Sequence, residues 1–406
     1  MRMFNPKITR ILPSPPDVGG EGEKSSRFEG DKEDGPIRVC FLIDNLSRAG
    51  TESQLLALIR SLDRSRVEPF LVLLDGENDL SRSLEPADCP VLRLGVRSFR
   101  RLSAISGAVR FGRFLRQHRI DILQAYFIDS VYFGVPVAKL AGVRHTLRVR
   151  NNLSEWLTPK HRRLGRQYGR TVDATLTNCE AGRQAILQAE SLRPERVIVL
   201  ENGVDLDRFR RFEPPDTARP AVRIGAVANL RPVKNIDLFI QAAAELCKGC
   251  PNLQFEVAGD GPERGELEDV IAKLNLEGRF RLLGPVADAP AFLASLDIAV
   301  LCSKSEGMSN ALLEYMAAGR AIVATSVGAN SKLLCDGEHG VLIHPNSIPE
   351  LVAAIERLLK DPELARRIAA SARQHVEACF SREAMCRRFE EFYSCLVHGT
   401  TKKQSH

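Results

Sequence analysis

The chain has 406 residues, 44% apolar and 27% charged, with a formal net charge of +6. That length exceeds one ordinary hydrophobic core, so two domains are expected, and the composition is that of a soluble globular chain. No apolar run approaches the ~20 residues that span a bilayer, and the first ten residues lack the charged-then-apolar order of a secretion signal, so the ten scattered cysteines fit reduced cytoplasmic thiols.

Residues 1–35, rich in Pro, Gly and charge, read as a disordered N-terminal extension. Ile-Arg-Val-Cys-Phe-Leu-Ile over 37–43 is nearly continuous in apolar character, the pattern of a strand buried on both faces of a parallel sheet. Leu55, Leu58, Ile59 and Leu62 keep helical spacing after it. Strands are then expected over 69–74, 91–94, 120–124, 146–149, 174–177 and 197–200, with helices between most of them. Phe212 to Pro220 reads as a linker, and the alternation restarts beyond it. Strands follow over 222–226, 254–257, 280–283, 298–301, 321–324 and 341–343, with helices over 237–247, 265–274 and 289–294. This order predicts an α/β chain of two doubly wound domains, 36–211 and 221–380.

The most informative stretch is Glu306-Gly-Met-Ser-Asn-Ala-Leu-Leu-Glu314, followed by Tyr-Met-Ala-Ala-Gly319. Ser309 is a suitable N-cap, Ala311 to Ala318 are good helix formers, and Gly319 can take the left-handed turn that ends a helix. A helix starting there points unpaired amides beside Glu306, and such an end binds phosphate. Glu314, about one turn deeper, can accept hydrogen bonds from a ribose diol. Arg231 and Lys234 directly follow a buried strand. Cations fixed there can stabilise a departing diphosphate.

Together these stretches resemble the retaining GT-B glycosyltransferases of family 4. Glu306 to Glu314 looks like the family's E-x7-E motif, and Ile224 to Asn235 like its strand, turn and paired Arg/Lys. Phe255 to Pro262 looks like its second Gly-rich turn, and Val199 to Asp205 like the segment entering the second domain. The resemblance runs over residues 37–395. It implies two Rossmann-like domains facing a central cleft, with a final helix over 381–397 crossing back onto the first domain. It places Glu306 on the donor sugar, the backbone of Ser309, Asn310 and Ala311 on the phosphates, Glu314 on the ribose, and Val286 beside the base. Gly50, in Arg48-Ala-Gly-Thr-Glu52, matches the family's Gly-Gly loop near the transferred group, with one glycine in place of two. Where the family often carries His-x-His, this chain has Gln124-Ala-Tyr126. Tyr126 can donate a hydrogen bond to the sugar but cannot act as a base near pH 7.

Arg93, Arg97, Arg100, Arg101, Arg110, Arg113, Arg116 and Arg119 crowd one part of the first half, with Leu102, Ile105 and Val109 between them. A second basic set runs from Arg144, Arg148 and Arg150 to Arg170. Both sets fit either solvated helix faces or attraction to anionic headgroups or a lipid-pyrophosphate acceptor. Aromatics do not interleave with them, which argues against nucleic acid. Cys247-Lys-Gly-Cys250 and Asp205-Leu-Asp207 read as a coincidence at a helix end and as turn chemistry, so no metal site is expected.

The expectation is therefore a cytoplasmic transferase, peripheral on the inner membrane face, independent of metal and cofactor. It moves a sugar from a nucleoside diphosphate to a glycan or lipid-linked acceptor in polysaccharide, lipopolysaccharide or glycolipid biosynthesis. Two alternatives stay open: a nucleotide-sugar-binding protein without transferase activity, and a nucleotide-sugar epimerase.

Overall fold

The computed structural model describes residues 35–75, 78–99, 102–151, 153, 158–210, 213–250 and 252–399. The proposed N-terminal extension through residue 34, Arg100, Arg101, Phe212 and the Lys160 side chain lie outside the described set. The chain divides into two compact units: residues up to Glu201 together with those from Arg382 onward, and Asn202–Ser381.

The first unit runs β1 (Ile37–Ile43), α1 (Gly50–Ser61), β2 (Val67–Leu73), α2 (Asp79–Leu84), β3 (Val91–Arg93) and α3 (Leu102–Gln117). It continues through β4 (Ile122–Tyr126), α4 (Ile128–Ala141), β5 (His145–Val149), α5 (Pro159–Thr171), β6 (Ala174–Thr177), α6 (Glu180–Glu190) and β7 (Val197–Val199). Its seven strands pair in parallel in the order β3-β2-β1-β4-β5-β6-β7. The near-continuous apolar run of β1 is used on both faces. Val39, Phe41 and Ile43 pack with Leu55, Leu58 and Ile59 of α1. Cys40 and Leu42 pack with Phe111 of α3 and Val131 of α4. Side chains that alternate across a strand thus supply two separate helix layers.

The second unit runs β8 (Arg223–Val227), α7 (Ile236–Gly249), β9 (Gln254–Ala258), α8 (Arg264–Lys273), β10 (Phe280–Gly284), α9 (Ala289–Ala294) and β11 (Ile298–Leu301). Then come α10 (Asn310–Ala317), β12 (Ala321–Thr325), α11 (Asn330–Leu334), β13 (Val341–Ile343), α12 (Ile348–Lys360) and α13 (Pro362–Cys379). Six parallel strands take the order β10-β9-β8-β11-β12-β13. The strand order of each sheet therefore reverses once, between β1 and β4 and between β8 and β11. Ligands of open α/β sheets gather at such points, outside the carboxyl ends of the strands.

The last helix, α14 (Arg382–His398), belongs to the first unit. Met385, Phe392 and Tyr393 enter the cluster of Phe41 and Ile43. Glu390 accepts from the Asp63 amide and from Arg66, both at 2.9 Å. The boundary falls after Glu201 rather than at residue 211, which corrects the sequence expectation. Asn202 donates to Asn310 at 2.8 Å, and the Val204 amide donates to the Phe380 carbonyl at 2.9 Å. Arg373 reaches the Phe209 carbonyl at 2.9 Å. These bonds hold 202–209 to the second unit. Among the described residues no helix is long and apolar enough to cross a membrane.

Candidate functional site

In the second unit, the loops that leave β8 and β11 diverge at the sheet's switch point, and they carry the sequence motifs. Arg231 caps a short helical turn, Pro232–Lys234, and Asn235 in the left-handed conformation (φ 54°) turns the chain into α7. Lys234 Nζ donates to Glu306 Oε1 at 2.6 Å, and Ser303 Oγ donates to the same oxygen at 2.7 Å. Both donors converge on Oε1, so Oε2 is left for a further partner. Arg231 is exposed, and its guanidinium makes no hydrogen bond or ion pair among the described residues.

Ser309 is the N-cap of α10, its hydroxyl accepting from the Leu312 amide at 3.4 Å. Asn310 and Ala311 open the helix, where backbone N–H groups have no partner within it. Gly319 ends the segment with φ 61°, as its sequence position requires. Glu314 is half-buried, and its carboxylate makes no hydrogen bond or ion pair among the described residues. Burial raises its pKa, opposed only by the charge of Arg208. Val286 is half-buried in the loop after β10. The Gly259 amide donates to the Gly284 carbonyl at 2.8 Å, which sets this loop beside the Gly-rich turn of 259–262.

Three supports of this site were missed from sequence. The Tyr315 hydroxyl accepts from the Val227 amide at 2.7 Å and pins α10 to the end of β8. Its place beside Glu314 was the available signal. Gly328 sits at φ 56°, and a Cβ there would collide with the Glu306 carbonyl. The next residue, Ala329, donates its amide to the Gly307 carbonyl at 2.9 Å. The loop of Glu306 is therefore held at its carboxylate by Lys234 and Ser303 and at the Gly307 carbonyl by Ala329.

The first unit holds a cavity of about 480 Å³ at its own switch point, lined by Asp44, Thr51, Asp129, Tyr132, Arg150 and Tyr168 among others. Asp44 accepts from the Ser130 hydroxyl at 2.6 Å and its amide at 3.1 Å. Burial raises the Asp44 pKa, with the charges of Asp129 and Glu52 adding to it. Gly50 is the exposed first residue of α1, next to the lining residue Thr51.

Tyr126 also borders the cavity, but its side chain is only 5% exposed, and its hydroxyl accepts from Gln124 at 2.6 Å. Gln124 in turn accepts from Tyr393 of α14 at 2.8 Å. This corrects the expected sugar contact: Gln124 and Tyr126, two apart on one strand, share the face that α14 covers. Their polar groups satisfy one another inside it.

The second basic set needs a correction too. Arg148 and Arg150 are not surface charges but pair with buried Glu190. In the first set, Arg93 pairs with Glu85, Arg97 with Asp75, and Arg116 donates to the Leu140 carbonyl at 3.0 Å. Ile105 and Val109 of α3 are 64% and 48% exposed beside them. Asp205 accepts from the Asp207 amide at 3.2 Å in a short helical turn, and Cys250 caps the end of α7.

Two parallel sheets, each with one switch point, and a helix start that follows the Lys234–Glu306 pair define the GT-B class of glycosyltransferase folds. Residues 49–203 match the glycosyl transferase 4-like domain and residues 210–375 the glycosyl transferases group 1 domain. The chain belongs to this family. It is similar to alpha-D-kanosaminyltransferase of Streptomyces kanamyceticus, 36% identical over 36% of this chain and 38% of that protein. It is also similar to the lipopolysaccharide core biosynthesis glycosyltransferase LpsE of Rhizobium meliloti, 29% identical over 54% of this chain and 63% of that one. The matches thus span less than two thirds of these relatives. Among solved structures, Anabaena HepE in complex with UDP superimposes with a TM-score of 0.77 at 22% identity, covering 88% of this chain and 100% of that one. Sucrose-phosphate synthase from Thermosynechococcus elongatus gives 0.75 at 16% identity, covering 90% and 100%.

Proposed function

We propose that this chain is a retaining, metal-independent glycosyltransferase that moves a sugar from a nucleoside diphosphate to a glycan or lipid-linked acceptor. The observation that carries this reading is the Glu306 carboxylate, held by Lys234 and Ser303 just before the amides of α10. Oε2 of Glu306 binds donor-sugar hydroxyls, the α10 amides and Arg231 hold the diphosphate, and Glu314 accepts from the ribose. A carboxylate beside a diphosphate is repelled strongly in a low-dielectric site. Lys234 offsets that repulsion and also meets the charge that grows on the leaving group.

The acceptor hydroxyl enters on the leaving-group side. As the bond from the anomeric carbon to the phosphate oxygen breaks, the new glycosidic bond forms on the same face, and the acceptor proton passes to the departing phosphate. No enzyme base is required, so the buried Tyr126 is compatible with turnover. The cavity of the first unit takes the acceptor. The name of one relative, a lipopolysaccharide core biosynthesis glycosyltransferase, supports a glycan or glycolipid product, whose assembly in this reading takes place in the cytoplasm at the inner membrane face. The exposed Ile105 and Val109 of α3, flanked by arginines, support peripheral contact with anionic lipid. No resident cofactor is invoked.

The test is release of nucleoside diphosphate from a panel of UDP-, GDP- and ADP-sugars. One donor should be hydrolysed slowly without acceptor, and the product anomer should keep the donor's configuration by NMR. Tight nucleotide-sugar binding with no release, under any acceptor tried, would instead establish a binding protein.

A further inference from the structure

Cys335, Glu338 and His339 lie in the turn that joins α11 to β13. One ligand atom from each, a thiol sulfur, a carboxylate oxygen and a ring nitrogen, falls within 4.8 Å of the other two. The backbone holds them there. Cys335 ends α11 in the left-handed conformation (φ 41°), and Gly337 follows at φ 81°. The Glu338 amide donates to the Cys335 carbonyl and the His339 amide to the Leu334 carbonyl, both at 2.9 Å.

His339 is 7% exposed, its ring stacked on His375 with centroids 4.5 Å apart. Its Nδ1 lies 2.9 Å from Ser371 Oγ. Its Nε2 faces Glu338 Oε1 at 4.0 Å, beyond hydrogen-bond range. Two metal–ligand bonds of ~2.0–2.2 Å span a gap of that size with little movement of the exposed Glu338. Thiolate and imidazole together select zinc-like ions over Mg²⁺ or Ca²⁺.

We propose that Cys335, Glu338 and His339 bind one zinc-class divalent cation, with water in the fourth position and Ser371 orienting the His339 ring. The site lies outside the residues assigned to the donor and stands whether or not the chain transfers sugar. Its consequence is structural. The residue just before α11, Ala329, buttresses the Glu306 loop through the Gly307 carbonyl, so the cation closes the far end of that support.

Co²⁺ added to the full, chelator-treated chain should give thiolate-to-metal charge-transfer absorption that saturates at one equivalent. Cys335→Ser should abolish that absorption although the other cysteines remain, and because Cys335 is exposed the variant should melt like the metal-free wild type. Ser371→Ala should keep the absorption and weaken Zn²⁺ binding by about tenfold, the scale of losing an orienting partner. Absorption that persists in Cys335→Ser, or a wild-type chain that takes up neither Co²⁺ nor Zn²⁺ by calorimetry, overturns the proposal.

Discussion

Lys234 Nζ lies 2.6 Å from Glu306 Oε1, joining loops whose residues are 72 positions apart. The ion pair fastens the loop after β8 to the loop after β11, and it puts the cation and the carboxylate of the proposed site in one hydrogen-bonded unit.

Lys234→Ala and Arg231→Ala should each lower kcat/KM by ~10²-fold or more, the scale of losing one preorganised donor to developing charge. Lys234→Ala should be the more severe in nucleotide affinity, because it also leaves Glu306 uncompensated next to the diphosphate. Adding Glu306→Gln to Lys234→Ala should restore nucleotide affinity but not turnover, a coupling that a double-mutant cycle reads directly. Strict additivity of the two changes would remove the pair from donor binding.

The two glutamates of the motif should separate in their effects. Glu306→Gln should spare nucleoside diphosphate affinity and depress turnover, whereas Glu314→Gln should weaken donor and free nucleotide alike, as compared by calorimetry and kinetics. Equal loss of nucleotide affinity in both would break this division of labour.

Glu314 also predicts a pH dependence. Burial raises its pKa above the unfolded value, so the folded chain holds more protons there, and stability from this group is lost as pH rises through the folded pKa. Glu314→Gln should therefore melt higher than wild type near neutral pH, the difference closing as the medium is acidified. A ribose that hydrogen-bonds the carboxylate favours its ionised form, so wild-type nucleotide affinity should fall on acidification more than that of Glu314→Gln. Identical pH profiles would take the ribose away from Glu314.

Transfer should persist in excess chelator, because in the proposed site Arg231 and Lys234 supply the positive charge beside the diphosphate. Activity lost in chelator and regained with Mg²⁺ or Mn²⁺ would overturn that reading and return Asp205 and Asp207 to consideration. Cys335→Ser, which lacks the proposed zinc-class site, serves as the control for any effect of removing a softer ion.

Contact of α3 with anionic membranes should strengthen with anionic lipid content and weaken with salt, at ~1 kcal/mol per basic residue near the surface. Ile105→Glu with Arg113→Glu should reduce co-sedimentation with anionic vesicles while leaving soluble-donor hydrolysis intact. Unchanged partitioning would mark this as an ordinary solvated face.

Much of this fold was legible because its signals are local. The apolar run of β1, the alternation of short strands with helices, and the cap at Ser309 each depend on neighbours in sequence. Lys234 and Glu306 were each legible as chemistry, but their ion pair depends on which strands lie side by side, and that is decided by the sheet order. Tyr126 failed for a related reason. Spacing shows that Gln124 and Tyr126 share a face, whereas which face α14 covers depends on residues from the far end of the chain. Arg148 and Arg150 looked like surface charges because Glu190, which neutralises both, lies 42 and 40 residues away.

The return of α14 to the first unit also sets an order of assembly. The second unit is continuous in sequence and can close as soon as it leaves the ribosome. The first unit cannot: Asp63 waits 327 residues for Glu390, and Gln124 waits 269 for Tyr393. Until α14 emerges, the face of Val39, Phe41 and Ile43 lacks the cover of Met385, Phe392 and Tyr393. The unit that begins first along this chain is thus the unit completed last, and a chain cut short near residue 381 keeps an intact second unit beside a sticky, unfinished first.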